Sequence, residues 1–370
     1  AAGGTGGHIY PGLTIARGWQ QHFPQGEVLF VGTKRGLEKE IIPREGYSLE
    51  FIHAAPLARK PSLRGLRDLG ATFWGLTESL RLIRRFCPAI IVGTGGYATG
   101  PLLAGGILAR VPTLIQEQNA FPGLTNRLLA PFVGTVALGY AEATQHMTPR
   151  AKMVVTGNPI RPEIIANTRS QGLAALQIDQ NQQVLLVLGA SQGARPINEA
   201  MIEIFPQLRA NPRLLVIHQT GNKEYERVVT ELGKMAQSTP WGNGQVFNNV
   251  RVVPYIHNMA DVLAVAHLVV ARAGAITIAE LTARGLPTIL IPYPFAAENH
   301  QEKNARALER AGGAEVILDQ DLNGVRLAQS INQLLHDQKR LDQMAVQSRN
   351  MGSPQALEKI IQLLIQLKRK

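Results

Sequence analysis

The segment VLLVLGASQGARPINEA (184–200) constrains this chain more than any other. An unbroken apolar run ends on a glycine-rich turn and continues into a helical pattern, the form of a buried strand delivering its chain to a helix N-terminus. The same turn-plus-helix form stands at AAGGTGGHIYPGLTIA (1–16), about half a chain away. Almost nothing precedes those first glycines, so the strand that should feed them is expected to be missing or clipped. Short Val-, Ile- and Leu-rich runs alternate with helical stretches elsewhere: VLFVGT (28–33), AIIVGTGG (89–96), TLIQEQ (113–118), TVALGY (135–140), LLVIHQTG (214–221), VRVVPYI (250–256), LVVARAG (268–274) and TILIPYP (288–294). Continuous apolar strands separated by helices are what parallel sheets covered on both faces require. The expected fold is α/β, with two doubly wound, Rossmann-like domains facing each other across a cleft. TGNPIRPEI (156–164) interrupts the periodicity with two prolines and a glycine. The expected division is therefore an N-terminal domain over 1–157, a C-terminal domain over 158–340, and terminal helices over 341–370. The last helix is amphipathic through Leu357, Ile360, Ile361, Leu363, Leu364 and Leu367, and is expected to dock back on the N-terminal domain.

Composition narrows the partners. No apolar run approaches the roughly 18 uncharged residues of a spanning helix, so a soluble or peripheral protein is expected. One cysteine, Cys87, excludes an internal disulfide framework and a multi-cysteine metal cluster, and fits a reducing compartment. Lys and Arg number 38 against 27 Asp and Glu, a net charge of +11, and such a surface calls for an anionic partner. The excess is localised. Arg59, Lys60, Arg64, Arg67, Arg81, Arg84 and Arg85 face only Asp68 and Glu78 within one stretch, and Lys368, Arg369 and Lys370 close the chain. Between those arginines lie Leu63, Leu66, Leu69, Phe73, Trp74, Leu76, Leu80, Leu82 and Phe86, largely at helical spacings. Basic residues flanking an apolar, aromatic surface describe an interfacial membrane patch; a core-facing helix with solvated arginines is the alternative. Nucleic acid is disfavoured, because no helix-turn-helix, zinc-finger spacing or RNP-like motif accompanies the charge.

Glycine-rich turns at helix starts expose backbone N–H groups and the positive end of the helix dipole, which together bind phosphate. Three occur here: Gly3–Gly7, Gly93–Gly100 and Gly189–Gly193. Any one could be only a tight turn; three together point to a diphosphate or to two phosphorylated ligands. A nicotinamide dinucleotide fits poorly, since GGTGGH and GASQGA do not carry G-x-G-x-x-G in register and no acid ends VLFVGT. In RAGAITIAELTARGLP (272–287), Glu280 follows a glycine turn on a helix, where a carboxylate can accept from both hydroxyls of a ribose or simply favour the dipole. Asn299, His300 and Gln301 follow the strand before PYPFAAENHQEKNA's polar end and suit sugar hydroxyls.

GGTGGHIYP (3–11), GTGGYATGP (93–101), QEQNAFPGLTNRLLA (116–130), TGNPIRPE (156–163), LGASQGARPIN (188–198), RAGAITIAE (272–280) and NHQEKNA (299–305) stand in the order and spacing of one family. The chain closely resembles the undecaprenyldiphospho-muramoylpentapeptide β-N-acetylglucosaminyltransferases, peptidoglycan enzymes that convert lipid I to lipid II, over essentially its whole length. The resemblance implies a GT-B fold and transfer of N-acetylglucosamine from UDP-N-acetylglucosamine to the C4 hydroxyl of muramic acid, with inversion. No cofactor is expected beyond that substrate, and no ligand cluster in the sequence suggests a bound metal. The resemblance also implies an anionic membrane partner, a peripheral place on the cytoplasmic face of the plasma (inner) membrane, and cell-wall and division proteins as further partners.

By that resemblance His8 is the catalytic base, with Glu117 as runner-up. Thr5, Gly6, Gly7 and Asn119 line the donor sugar; Arg161 and Ser191 meet the diphosphate; the backbone of Ile256 meets uracil; Ala275, Ile276, Thr277, Ile278 and Ala279 start the helix that carries Glu280 to the ribose; Gln301 reads the sugar. Gly4, Gly95, Gly96 and Tyr97 seat the acceptor diphosphate. Arg64, Arg67, Phe73, Trp74, Arg81, Arg84 and Arg85 form the membrane patch. Two rival readings stay open: another UDP-sugar enzyme of the same fold, either a lipid glycosyltransferase or an epimerase, and a basic membrane- or nucleic-acid-binding protein without activity.

Overall fold

The computed structural model describes residues 1–55, 63–189 and 193–368, the side chains of 63–69 excepted. The chain forms two compact units, Ala1–Ile160 with Ser353–Lys370, and Arg161–Gly352.

In the first unit β1 (Leu29–Gly32) pairs in parallel with β2 (Ser48–Phe51), and β3 (Ile91–Gly93), β4 (Thr113–Glu117), β5 (Thr135–Leu138) and β6 (Met153–Val155) form a four-stranded parallel sheet in that order. Ala1 and Ala2 lie between the two: Ala2 N–H donates to Val31 O (3.4 Å), and Thr94 N–H donates to Ala1 O (3.0 Å). Alternation along the strands sends side chains to opposite faces. Leu114 and Ala137 pack with Ile15 of α1 (Gly6–His22) and with Ile360, Ile361, Leu364 and Leu367 of the terminal helix Ala356–Lys368. Ile115, Val136 and Leu138 face the other way, onto Leu82 and Ile83 of α3 (Leu63–Phe86) and Leu102 and Leu103 of α4 (Thr99–Leu108). Helices therefore cover both faces. The short helices α2 (Glu38–Arg44) and α5 (Leu124–Leu129) follow β1 and β4.

The second unit carries one eight-stranded sheet, ordered β14-β13-β12-β7-β8-β11-β10-β9. Its strands are β7 (Gln183–Leu188), β8 (Leu214–Gln219), β9 (Thr239–Trp241), β10 (Gly244–Phe247), β11 (Val250–Val253), β12 (Leu268–Ala271), β13 (Thr288–Leu290) and β14 (Ala314–Val316). It is parallel except at its edge, where β10 pairs antiparallel with both β11 and β9. Leu185, Val187, Val216, Val252, Val270 and Ile289 form a core with Ile197, Met201, Ile204 and Phe205 of the helix Arg195–Arg209.

Two expectations need correction. The changes of unit fall at 160/161 and 352/353 rather than at 157 and 341. The helix Gln338–Met351 belongs to the second unit because Leu341 and Met344 are buried in its core and Arg349 lies over Gly285. The sheet of the second unit is also not wholly parallel: the hairpin β9–β10 turns through Gly242, whose φ of +56° is the left-handed value such tight turns need.

Candidate active site

Open α/β sheets bind ligands beyond the carboxyl ends of their strands; Glu117 ends β4 and the Gly95–Gly96 turn follows β3. In the first unit, the loop entering α1 is held from behind by Glu38, the first residue of α2, which is completely buried. Its Oε2 accepts from Gly4 N–H (2.8 Å), and its Oε1 accepts from Thr33 N–H (2.9 Å) and Thr33 Oγ1–H (3.0 Å). A Cβ at Gly36 would stand 1.8 Å from that carboxylate, so the cradle requires glycine there. The Gly4 N–H is thus used inside the protein, which removes it from the donors assigned to a diphosphate. Gly4 itself holds φ +86° and turns the chain into Thr5 and α1, whose first N–H groups, on Gly6 and Gly7, have no carbonyl one turn earlier to bond.

His8 sits in that first turn, partly exposed. Its Nδ1 lies 3.1 Å from Gly3 O. A carbonyl can only accept, so Nδ1 carries the proton and the ring's lone pair is on Nε2. Thr94 Oγ1–H donates to His8 O (2.7 Å), tying this turn to the second glycine loop. There Gly95 and Gly96 have φ of +111° and +87°. A Cβ on Gly95 would come within 2.5 Å of the His8 ring, and one on Gly96 within 2.4 Å of Gly3 O. The two glycine loops are therefore in contact, with Tyr97 exposed beside them.

Glu117 occupies a different kind of position. At the end of β4 its carboxylate accepts from Asn119 N–H (3.0 Å), Asn119 Nδ2 (3.2 Å), Gly123 N–H (3.0 Å) and Asn126 Nδ2 (2.7 Å), and only 2 % of the residue is exposed. Four donors on one carboxylate organise the 118–126 loop. Buried amides brace the same strand end: Gln116 Nε2 donates to Asn158 Oδ1 (2.9 Å), and Asn158 Nδ2 to Gln118 O (2.9 Å).

In the second unit, Gly189 follows β7 and Gly193, at φ +91°, leads into the helix Arg195–Arg209; Ser191 lies outside the described residues. Gln219 Oε1 accepts from Ile256 N–H (2.9 Å), so of the two backbone groups of Ile256 its carbonyl is the one that can meet a base edge. Directly after β12, Gly274 caps a helix whose first turn presents the N–H groups of Ala275, Ile276 and Thr277, with Ile278 buried and Ala279 half-buried behind them. Glu280 on this helix accepts from Arg161 Nε (3.2 Å) and Nη2 (3.0 Å). Burial raises the Glu280 pKa, with Arg161 pulling the other way. Gln301, near the start of the helix His300–Arg310, accepts from Tyr293 N–H (3.0 Å), which fixes its amide orientation. It follows Glu298 and Asn299, both at left-handed φ values of 55° and 52°. Arg272, a guanidinium beside the same turn, is buried and pairs with Asp319.

On α3, Phe73 and Trp74 are 68 % and 53 % exposed, and Arg81, Arg84 and Arg85 are exposed; Arg85 pairs with Glu50. The side chains of Arg64 and Arg67 lie outside the described residues, as do Arg59, Lys60 and Arg369. Leu128 on α5 and Phe132 just after it are also more than half exposed, and Phe73, Leu76, Pro101, Ala104, Leu128 and Leu129 line one apolar groove. None of the helices among the described residues is long and apolar enough to cross a membrane.

A helix start that carries an imidazole in the first unit and a helix that carries a carboxylate in the second are each suited to a phosphorylated ligand. The family model for the glycosyltransferase family 28 N-terminal domain matches residues 1–138, and that for the C-terminal domain matches 184–360. The chain belongs to glycosyltransferase family 28. Among curated relatives, proteins of Halothermothrix orenii and Desulforudis audaxviator are 43 % and 45 % identical over 98 % and 99 % of this family 28 chain and 96 % and 97 % of their own. Both are named UDP-N-acetylglucosamine--N-acetylmuramyl-(pentapeptide) pyrophosphoryl-undecaprenol N-acetylglucosamine transferase. Among solved structures, MurG of Acinetobacter baumannii superposes with a TM-score of 0.77 at 25 % identity, covering 99 % of this chain and 98 % of that one. A UDP-GlcNAc 2-epimerase of Neisseria meningitidis, at TM-score 0.62 and 14 % identity over 96 % and 97 % of the two chains, shares the fold alone.

Sequence reasoning missed Glu38, Thr94 and Asn158. Within GTKRGLEKE, Glu38 reads as one charge of a solvated helix. The flanking Gly32 and Gly36, which make room for it, were the available signal.

Proposed function

We propose that this chain transfers N-acetylglucosamine from UDP-N-acetylglucosamine to the C4 hydroxyl of the muramic acid of lipid I, forming a β-1,4 link and lipid II. The observation that carries the reading is His8, its Nδ1 on Gly3 O, in the glycine loop of a chain whose full-length relatives bear that name. The hydroxyl oxygen attacks the anomeric carbon as its proton passes to His8 Nε2, and the bond from that carbon to the diphosphate breaks, releasing UDP with inversion. In the second unit Glu280 takes the ribose hydroxyls, the Ile256 carbonyl meets uracil and Gln301 reads the sugar. The Ala275 helix start and the donors Arg161 does not spend on Glu280 hold the leaving diphosphate. In the first unit Gly95, Gly96 and Tyr97 receive the acceptor diphosphate, while Thr5, Gly6, Gly7 and Asn119 approach the donor sugar. Glu117 keeps a loop-holding role. Phe73 and Trp74 with Arg81 and Arg84 rest on an anionic membrane, on the cytoplasmic face where a UDP-sugar is available.

Incubating the protein with UDP-N-acetylglucosamine and a lipid I analogue tests this. A β-1,4-linked disaccharide is expected. Consumption of UDP-N-acetylglucosamine without the acceptor, giving its 2-epimer, would replace transfer with epimerisation.

A further inference from the structure

The bonds around the first glycine loop form one continuous chain. The Gly3–Gly4 peptide unit donates through its N–H to Glu38 Oε2 (2.8 Å) and accepts through its C=O from His8 Nδ1 (3.1 Å). A peptide is a resonance-coupled donor and acceptor. An N–H bonded to a carboxylate pushes electron density onto the carbonyl oxygen, which makes that oxygen a stronger acceptor, and low local dielectric enhances such cooperativity.

We infer that Glu38 acts on His8 through the Gly3–Gly4 peptide, holding the imidazole in the Nδ1–H tautomer and stabilising the imidazolium as Nε2 takes the acceptor proton. It is a positioning residue: the usual carboxylate–histidine pair with one peptide unit interposed. The inference rests on the reading of His8 as the base.

Three features build the device rather than leave it to chance. Glu38 is completely buried, and its described partners are N–H and O–H donors from Gly4 and Thr33, so its charge is oriented and shielded from solvent. Gly3, Gly32 and Gly36 surround it so closely that a Cβ would come within 2.8, 2.6 and 1.8 Å of its side chain. The carbonyl side is braced as well, because the second loop packs on both Gly3 O and the His8 ring. Of the titratable groups on elements around the ring, Tyr97 is exposed on the second loop, and Glu117 is committed to four donors in its own loop. Glu38 is an acid whose hydrogen bonds lead, through one peptide unit, to His8.

The test compares Glu38→Gln, His8→Gln and the double variant, with the wild type, in the disaccharide-forming assay. Glu38→Gln should lower kcat by roughly 10- to 100-fold, the range for outer partners of functional histidines, and leave UDP-N-acetylglucosamine affinity unchanged. With the anion gone the imidazolium is less stable, so the acidic limb of the kcat–pH profile should move to lower pH. In the His8→Gln background the same substitution should have almost no further effect. An unmoved acidic limb, or fully additive losses, would leave Glu38 a structural residue and overturn the inference. Should Glu38→Gln fail to fold, side-chain ¹⁵N shifts of His8 in the wild-type protein decide: the Nδ1–H tautomer supports the relay and the Nε2–H tautomer sinks it. Failure of the base reading is separate, because it shows as wild-type kcat in His8→Gln whatever the tautomer.

Discussion

At the scale of single residues, the two half-sites are built by opposite means. His8 is set by a carbonyl of its own loop, whereas Glu280 is set by a partner guanidinium in a buried place. His8→Ala should reduce kcat by about 10²- to 10⁴-fold, the usual share of general base catalysis, with UDP-N-acetylglucosamine affinity intact; unchanged kcat would remove His8 from the role. Glu280 allows a second prediction, from linkage. Its folded pKa is raised by burial. A carboxylate with a raised folded pKa binds its proton more tightly in the folded than in the unfolded chain. Its contribution therefore favours folding below the unfolded value of about 4.3 and is lost as pH rises through the folded pKa. Glu280→Gln removes that dependence. Urea unfolding across this window should show the variant gaining on the wild type as pH rises, while its KM for UDP-N-acetylglucosamine increases. Arg161→Ala should instead cost about 3–5 kcal/mol, because it leaves a buried charge without its partner; a much smaller loss would show that the Glu280 site is wetter than its burial implies.

At the scale of elements, the glycine loops and α3 were legible to different depths. The three turns were evident as turns because glycine runs after apolar runs have few other uses. That the first and second of them touch was not evident, since contact between Gly96 and Gly3 is a matter of which strands become neighbours. Gly96→Ala introduces both a strained φ and a collision, and should cost roughly 1–3 kcal/mol in chemical unfolding together with a fall in kcat; wild-type behaviour would mean the loops part without penalty. On α3 the helical spacing was visible, but its division into an inward face, Ser79, Leu82 and Ile83, and an outward one with Phe73 and Trp74 came only with the neighbouring elements. Charge pairing was not visible: Glu50 comes from β2, a four-residue strand with no apolar run to betray it. Neutralising Arg81, Arg84 and Arg85 should weaken sedimentation with anionic vesicles by up to about 1 kcal/mol per residue. The Arg85 share should be the smallest, and an equal share for all three would deny its pairing with Glu50.

At the scale of the whole molecule, the chain leaves its first unit after Ile160 and rejoins it at Ser353. The terminal helix closes one face of the first sheet, with Ile360 and Ile361 fully buried and Leu364 1 % exposed. Leu364→Ala should cost about 2–5 kcal/mol in chemical unfolding; a loss well below that range would show that the terminal helix is not part of the core of the first unit. The sequence by itself determined the alternation of strands and helices, the glycine turns and the family, because these are local patterns of hydrophobicity and backbone freedom repeated along the chain. Only the tertiary structure decided that Glu38 lies buried behind the first loop, that Glu117 is occupied by four donors and that Arg161 meets Glu280. Each depends on residues from separate elements meeting at a strand end, and burial and hydrogen bonding there, not residue type, decide whether a charge is a solvated surface group or part of a site.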